Sequence, residues 1–94
     1  MFNLIVHPGA VLSDELSEQA ISSAELARQI GVPSNRISQI IAGKRSISGD
    51  TALRLGHWFG MEPQFWMNLQ SQHDLALARQ AVGAELDKLP TMAA

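Results

Sequence analysis

Five of the six positions from 34 to 39 carry side chains that give or take hydrogen bonds: Ser34, Asn35, Arg36, Ser38 and Gln39. Asn and Gln amides can bond adenine through two atoms at once, and Arg can do the same to guanine. At about 100° per residue along a helix, Asn35, Gln39 and Ala42 lie opposite Ile37, Ile40 and Ile41. Arg36 and Ser38 flank that polar face, and Ser34 stands at its N-terminal end. An apolar stripe for a core and a hydrogen-bonding stripe for base edges is what a helix in the DNA major groove requires. An ordinary solvated helix uses the same residue types, so the surrounding elements must decide between the two.

Those elements favour the groove. Ser22-x-x-Glu25 is a capping box, in which the hydroxyl takes an orphan N–H and the carboxylate reaches back. Leu26, Ala27 and Ile30 then share one face of a short helix. Gly31 can adopt the left-handed conformation that ends it. Small Ala27 lets a second helix cross closely, and Pro33 suits the start of that helix. Two short helices at a sharp turn, the second with a polar outer face, form a helix-turn-helix unit over residues 22–43.

The remaining chain reads as all-α, without sustained strand alternation. A first helix spans about Pro8 to Gln19, with Leu12 and Leu16 inward. Gly43-Lys44-Arg45 closes the third helix, Ile47 is expected to be buried, and Ser48 caps a fourth helix over about Gly49 to Phe59. Its expected inward residues are Ala52, Leu53, Gly56 and Phe59, and Gly60 ends it. Pro63 opens a fifth helix running to about residue 82, with Phe65, Trp66 and Leu69 expected in the core. The tail after Gly83 is expected to form one more turn and then fray. Along the fifth helix Leu75, Ala78, Val82 and Leu86 form a second apolar stripe. That stripe either lies across its own bundle or forms a dimer seam.

The 94 residues make one domain, residues 1–94, with no repeat or linker. A compact chain of this length has a radius of gyration of roughly 12 Å. No apolar run reaches the roughly 18 residues of a membrane helix, and Met1 to Val6 is too short for a signal peptide. A cytoplasmic protein without a membrane association is expected. With no cysteine there is neither a disulfide nor a thiolate metal site. The net charge of −2 is unevenly spread. Five basic residues and one acid lie between Arg28 and Arg54, a local +4, while the rest carries −6. A basic face on an acidic body suits one nucleic-acid surface and a second surface for something else.

An enzyme would have to use His7, His57 and His73, which fall on three elements without metal-ligand spacing. No Gly-rich phosphate loop or serine nucleophile elbow is present. Neither catalysis, a cofactor nor a metal is expected. A pure protein-interaction module is the rival reading, and it requires no salt-sensitive binding of duplex DNA.

The residues resemble the HigA antitoxins, small members of the Cro/repressor-like helix-turn-helix group. The likeness runs from about His7 to Arg79. It rests on His7-Pro8-Gly9, the Ser22–Lys44 unit, Gly43-Lys44-Arg45, Asp50-Thr51-Ala52-Leu53-Arg54-Leu55 and Pro63-Gln64-Phe65-Trp66-Met67-Asn68-Leu69-Gln70. The last run is the most specific, because generic helix-turn-helix proteins do not carry it. Ala10, Ala42 and Ser34 depart from the family pattern, which more often has an acid, an Asn and a longer polar or basic residue there. The resemblance implies a five-helix bundle with an extended C-terminal helix, a homodimer that represses its own operon. It also implies neutralisation of a HigB-type toxin, a small basic ribosome-dependent mRNA endonuclease. A solitary regulator without a toxin is the alternative within the group.

The same resemblance assigns Ser34, Asn35, Arg36, Ser38 and Gln39 to base edges or adjacent phosphates. It assigns Ser23, Lys44 and Arg45 to the DNA backbone. Arg54 contacts phosphate or pairs with Asp50 one turn earlier. For a basic toxin, Asp14, Glu15 and Glu18 on the first helix form one candidate surface, and strand-like Phe2–Val6 another.

Overall fold

Local chemistry sets several of the helix ends. The computed structural model describes residues 5–92, and its five helices are α1 (Pro8–Gln19), α2 (Ser23–Ile30), α3 (Ser34–Ile41), α4 (Gly49–Phe59) and α5 (Pro63–Leu86). Ser22 Oγ accepts from Glu25 N–H at 3.1 Å and Ser48 Oγ from Thr51 N–H at 3.3 Å, supplying the N-caps of α2 and α4. Gly31 and Gly60 end those helices at φ of 73° and 68°, a region costly for any residue with a Cβ. The capping box of α2 is one-sided. Instead of reaching back to Ser22, the Glu25 carboxylate takes Arg28 and Gln29.

The core joins all five helices. Leu12, Leu16, Leu26, Ala27, Ile30, Ile37, Ile40, Ile47, Ala52, Leu55 and Trp66 are buried together. α2 packs chiefly on α3 and α4 on α5, while α1 lies against α3 and α5. Gly9 of α1 meets α3 so closely that a Cβ there would collide with the Ile40 carbonyl oxygen. That close approach accounts for the glycine after Pro8.

Four expectations are corrected. On α4 it is Leu55 that is buried, and Leu53 is 64% exposed. The inward face of α4 runs through Thr51, Ala52, Leu55 and Gly56. A Cβ at Gly56 would stand 2.7 Å from the Met61 carbonyl oxygen, so the return of the chain towards Pro63 sets the rotation of α4. Phe65 is exposed, with its ring edge-on to buried Trp66 at 5.2 Å. α5 runs on to Leu86, through Gly83. One helical glycine costs only about 1 kcal/mol, too little to stop a helix whose next proline is Pro90. Finally, the radius of gyration is 16.2 Å, and the molecule extends 51 × 26 × 23 Å, because α5 projects beyond the bundle. Beyond Gln70 no residue of α5 is fully buried. The Leu75–Leu86 stripe therefore does not lie across its own bundle.

Candidate nucleic-acid interface

The turn between α2 and α3 presents α3 with its apolar stripe inward. Ile37 and Ile40 are buried and Ile41 is half-buried. Ser34, Asn35, Ser38 and Ala42 are exposed, and Gln39 is half-buried beside them. Ser38 Oγ donates to the Asn35 carbonyl at 3.3 Å. Gln39 Oε1 accepts from Arg45 Nε at 3.0 Å, joining the end of α3 to the loop that follows. Among the residues expected on this surface, Asn35 alone presents a free two-point amide.

Arg36 is held differently. Its Nη1 donates to Asp50 Oδ2 at 2.9 Å, and its side chain is 27% exposed. Arg54 Nε donates to the same oxygen at 3.1 Å. Arg54 Nη1 also donates to the Ile30 carbonyl at 2.7 Å and to that of Gly31 at 3.4 Å. Of the two roles open to Arg54, pairing with Asp50 is the one seen. It additionally satisfies carbonyls at the end of α2, a favoured place for a cation.

Arg36 and Arg45 share a polar cleft of about 410 Å³ with Gly31, Ser46, Ser48, Asp50, Thr51 and Arg54. Lys44 is exposed at the end of α3. Ser23 stands in the first turn of α2, and no hydrogen bond among the described residues joins its side chain to the others.

Pairing reshapes the charge seen along the sequence. Arg28 bonds both Glu25 oxygens at 2.6–2.7 Å. The Arg28 hydrogen bonds, followed by that of Gln29, hold the Glu25 carboxyl below its ordinary range. Asp50 takes two guanidiniums. Among the described residues, Lys44 and Arg45 are the cations of the basic stretch without a carboxylate partner.

Two groups escaped sequence reasoning. Gln70 is buried on α5, accepting from Ile47 N–H at 2.7 Å and donating to Asp74 at 2.9 Å. It pins the loop after α3, but one amide in the run Asn68-Leu69-Gln70-Ser71-Gln72 carries no signal for a partner 23 positions away. His7 caps α1, its Nδ1 accepting from Gly9 N–H at 2.9 Å. Its ring lies edge-on to His73 at 4.7 Å, so two of the three histidines do meet. Burial, then the His73 ring, push His7 below its ordinary value, opposed by Asp74. No group of three metal-ligating side chains exists among the described residues, and no helix there is long and apolar enough to cross a membrane.

A helix-turn-helix family model matches residues 15–66. Virulence-associated protein I of Dichelobacter nodosus is 41% identical over 76 residues, covering 80% of this chain and 70% of that protein. An addiction module antidote protein of a HigA family from Coxiella burnetii superposes with a TM-score of 0.92 at 39% identity, over 97% of this chain and 100% of that one. The Pseudomonas aeruginosa antitoxin HigA, solved with the higBA promoter, gives a TM-score of 0.90 at 43% identity, over 94% and 97% of the two chains.

Proposed function

The chain belongs to the helix-turn-helix family and within it to the HigA-type antitoxins, and from that premise we propose that it represses its own operon and neutralises a HigB-type mRNA endonuclease. In this reading a homodimer acts in the cytoplasm, with α3 of each protomer in the major groove of an operator half-site. The observation that carries it is the division of α3. Its isoleucines are closed in the core, while Ser34, Asn35 and Ser38 stand in solvent. Asn35 reads a base edge with Ser34, Ser38 and Gln39 beside it. Lys44, Arg45 and Ser23 hold phosphates, which position the protein without reading sequence. The relative solved with its promoter supports the same ligand class.

The dimer rests on the outer half of α5, where Leu75, Val82 and Leu86 are exposed in the single chain. A two-fold protein meets half-sites about 34 Å apart or a multiple of that spacing. The toxin is assigned to the acidic face of α1. Asp14 and Glu18 are exposed and form no ion pair among the described residues. The other candidate surface, Phe2–Val6, lies mostly outside the described residues.

Sedimentation with a footprinted promoter fragment tests the DNA reading. The expected result is two protomers on a two-fold site. Lys44→Ala is expected to weaken all sequences alike and lower the salt slope by about 1. A strict monomer on an asymmetric site would rule the arrangement out. For the toxin, Asn35→Ala, Lys44→Ala and Arg45→Ala combined are expected to abolish repression yet still rescue cells expressing the toxin. Loss of rescue in this triple variant, with helical circular dichroism intact, would mean that the two surfaces overlap. Operator binding by wild type without rescue points to a solitary regulator.

A further inference from the structure

Arg36 is the one strong cation that the sequence places on the reading helix, yet it does not extend freely from it. Asp50, in the first turn of α4, holds Arg36 Nη1 at 2.9 Å through Oδ2. The same oxygen holds Arg54 Nε at 3.1 Å. Arg54 is anchored in turn to the Ile30 carbonyl at 2.7 Å. A continuous chain of contacts thus runs from the end of α2, through α4, to α3. Arg36 Nε is enclosed and has no acceptor of its own, so the guanidinium is drawn inward with its fork only partly used. A guanidinium needs its fork free to grip guanine or phosphate bidentately.

We propose that Asp50 is a positioning residue for DNA specificity: its carboxylate keeps the Arg36 guanidinium off the groove-reading face and so suppresses binding to unmatched DNA. The inference rests on the DNA-binding reading above. A free arginine on α3 would also reach phosphates, which every sequence offers alike. Withheld by Asp50, it leaves discrimination to the short side chains of Asn35, Ser34 and Ser38. One carboxylate against two guanidiniums also leaves the cleft cationic, so Asp50 moderates the local field without reversing it.

The test compares operator and random duplex across a salt series. Each phosphate newly neutralised steepens the slope of log K against log salt by about 0.9. Asp50→Asn is expected to steepen the slope on random duplex by about one unit, for the Arg36 guanidinium released, because Arg54 stays anchored at the Ile30 carbonyl. The ratio of operator to random affinity is expected to fall roughly tenfold. Adding Arg36→Ala to Asp50→Asn should return about one unit of slope, and Asp50→Glu should restore wild-type behaviour.

Arg36→Ala alone gives a second reading with α4 untouched. Its slope on random duplex should stay within about half a unit of wild type, because a withheld cation has nothing to lose. A full-unit drop there would overturn the proposal. So would an Asp50→Asn variant that melts earlier but keeps the wild-type slope and ratio, since that describes a purely structural residue. Wild-type protein that binds no duplex at any salt sinks the DNA reading itself, and binding with unchanged variants sinks only the role of Asp50.

Discussion

α3 and the outer half of α5 both turn side chains to water, but of opposite kinds. α3 exposes Ser34, Asn35 and Ser38, whose hydrogen-bonding needs water meets. α5 exposes Leu75, Val82 and Leu86, whose exposure is unfavourable. At about 25 cal/mol per Å² of apolar surface covered, that stripe gains only by being buried. The first surface is stable alone and waits for a polar ligand. The second is satisfied by an apolar one, and another copy of the same helix offers it by symmetry. On the proposed reading, the chain separates what it recognises from how it assembles.

The largest expected effect comes from breaking the apolar side of this contrast. Leu75→Glu with Val82→Glu should leave helical circular dichroism unchanged and turn the protein into a monomer in sedimentation. Operator affinity should then fall by about 100-fold or more, because the second half-site is no longer an intramolecular target. A double variant that stays dimeric would place the seam elsewhere.

A middle-sized effect is expected on the polar side. Asn35→Ala should cost about 1–3 kcal/mol at one base pair of each half-site, with the melting temperature unchanged. Uniform weakening across all operator variants, measured by systematic base substitution, would make Asn35 a phosphate contact instead of a reader.

The smallest effect concerns the region between the two surfaces, where His7 and His73 meet below the loop carrying Lys44 and Arg45. His7 titrates below its ordinary value in the folded chain, so the unfolded chain binds its proton more readily. Stability is complete above the ordinary histidine range near 6.5, and falls as pH drops through the lower folded value. Protonation also removes the Nδ1 acceptor from Gly9 N–H. Thermal melts between neutral and mildly acidic pH should show this loss, and His7→Asn should flatten it by keeping an acceptor that does not titrate. An equally steep loss in His7→Asn would assign the titration to another group.

Most helix boundaries were legible because they are local. Ser22, Ser48, Gly31, Gly60 and Pro63 each act within a few residues, and α1 and α4 span the expected residues. The buried isoleucines of α3 were legible from spacing, as was Ile47 in the loop. What escaped depends on distant parts of the chain. The choice of Leu55 over Leu53 depends on how Gly56 meets Met61 and Pro63. The hold on Arg36 comes from Asp50, fourteen positions away, whereas the Asp50–Arg54 pair lay within one helical turn and was visible. Gln70 matters only because Ile47 N–H arrives beside it. The expected positive patch was likewise a count along the chain, made without Glu25 against Arg28.

Gly9 bears on how force travels through the molecule. A packed layer of side chains between two helices behaves as a spring, because rotamers can shift to absorb a small displacement. At Gly9 there is no such layer, and α1 abuts the carbonyl edge of Ile40 in the last turn of α3. That contact leaves little slack, so a shift of α1 at Gly9 bears directly on α3. Asp14 and Glu18 ride on that same rod, one to three turns along. A partner that pulled on these acids would act, through that contact, on the helix proposed to meet the bases.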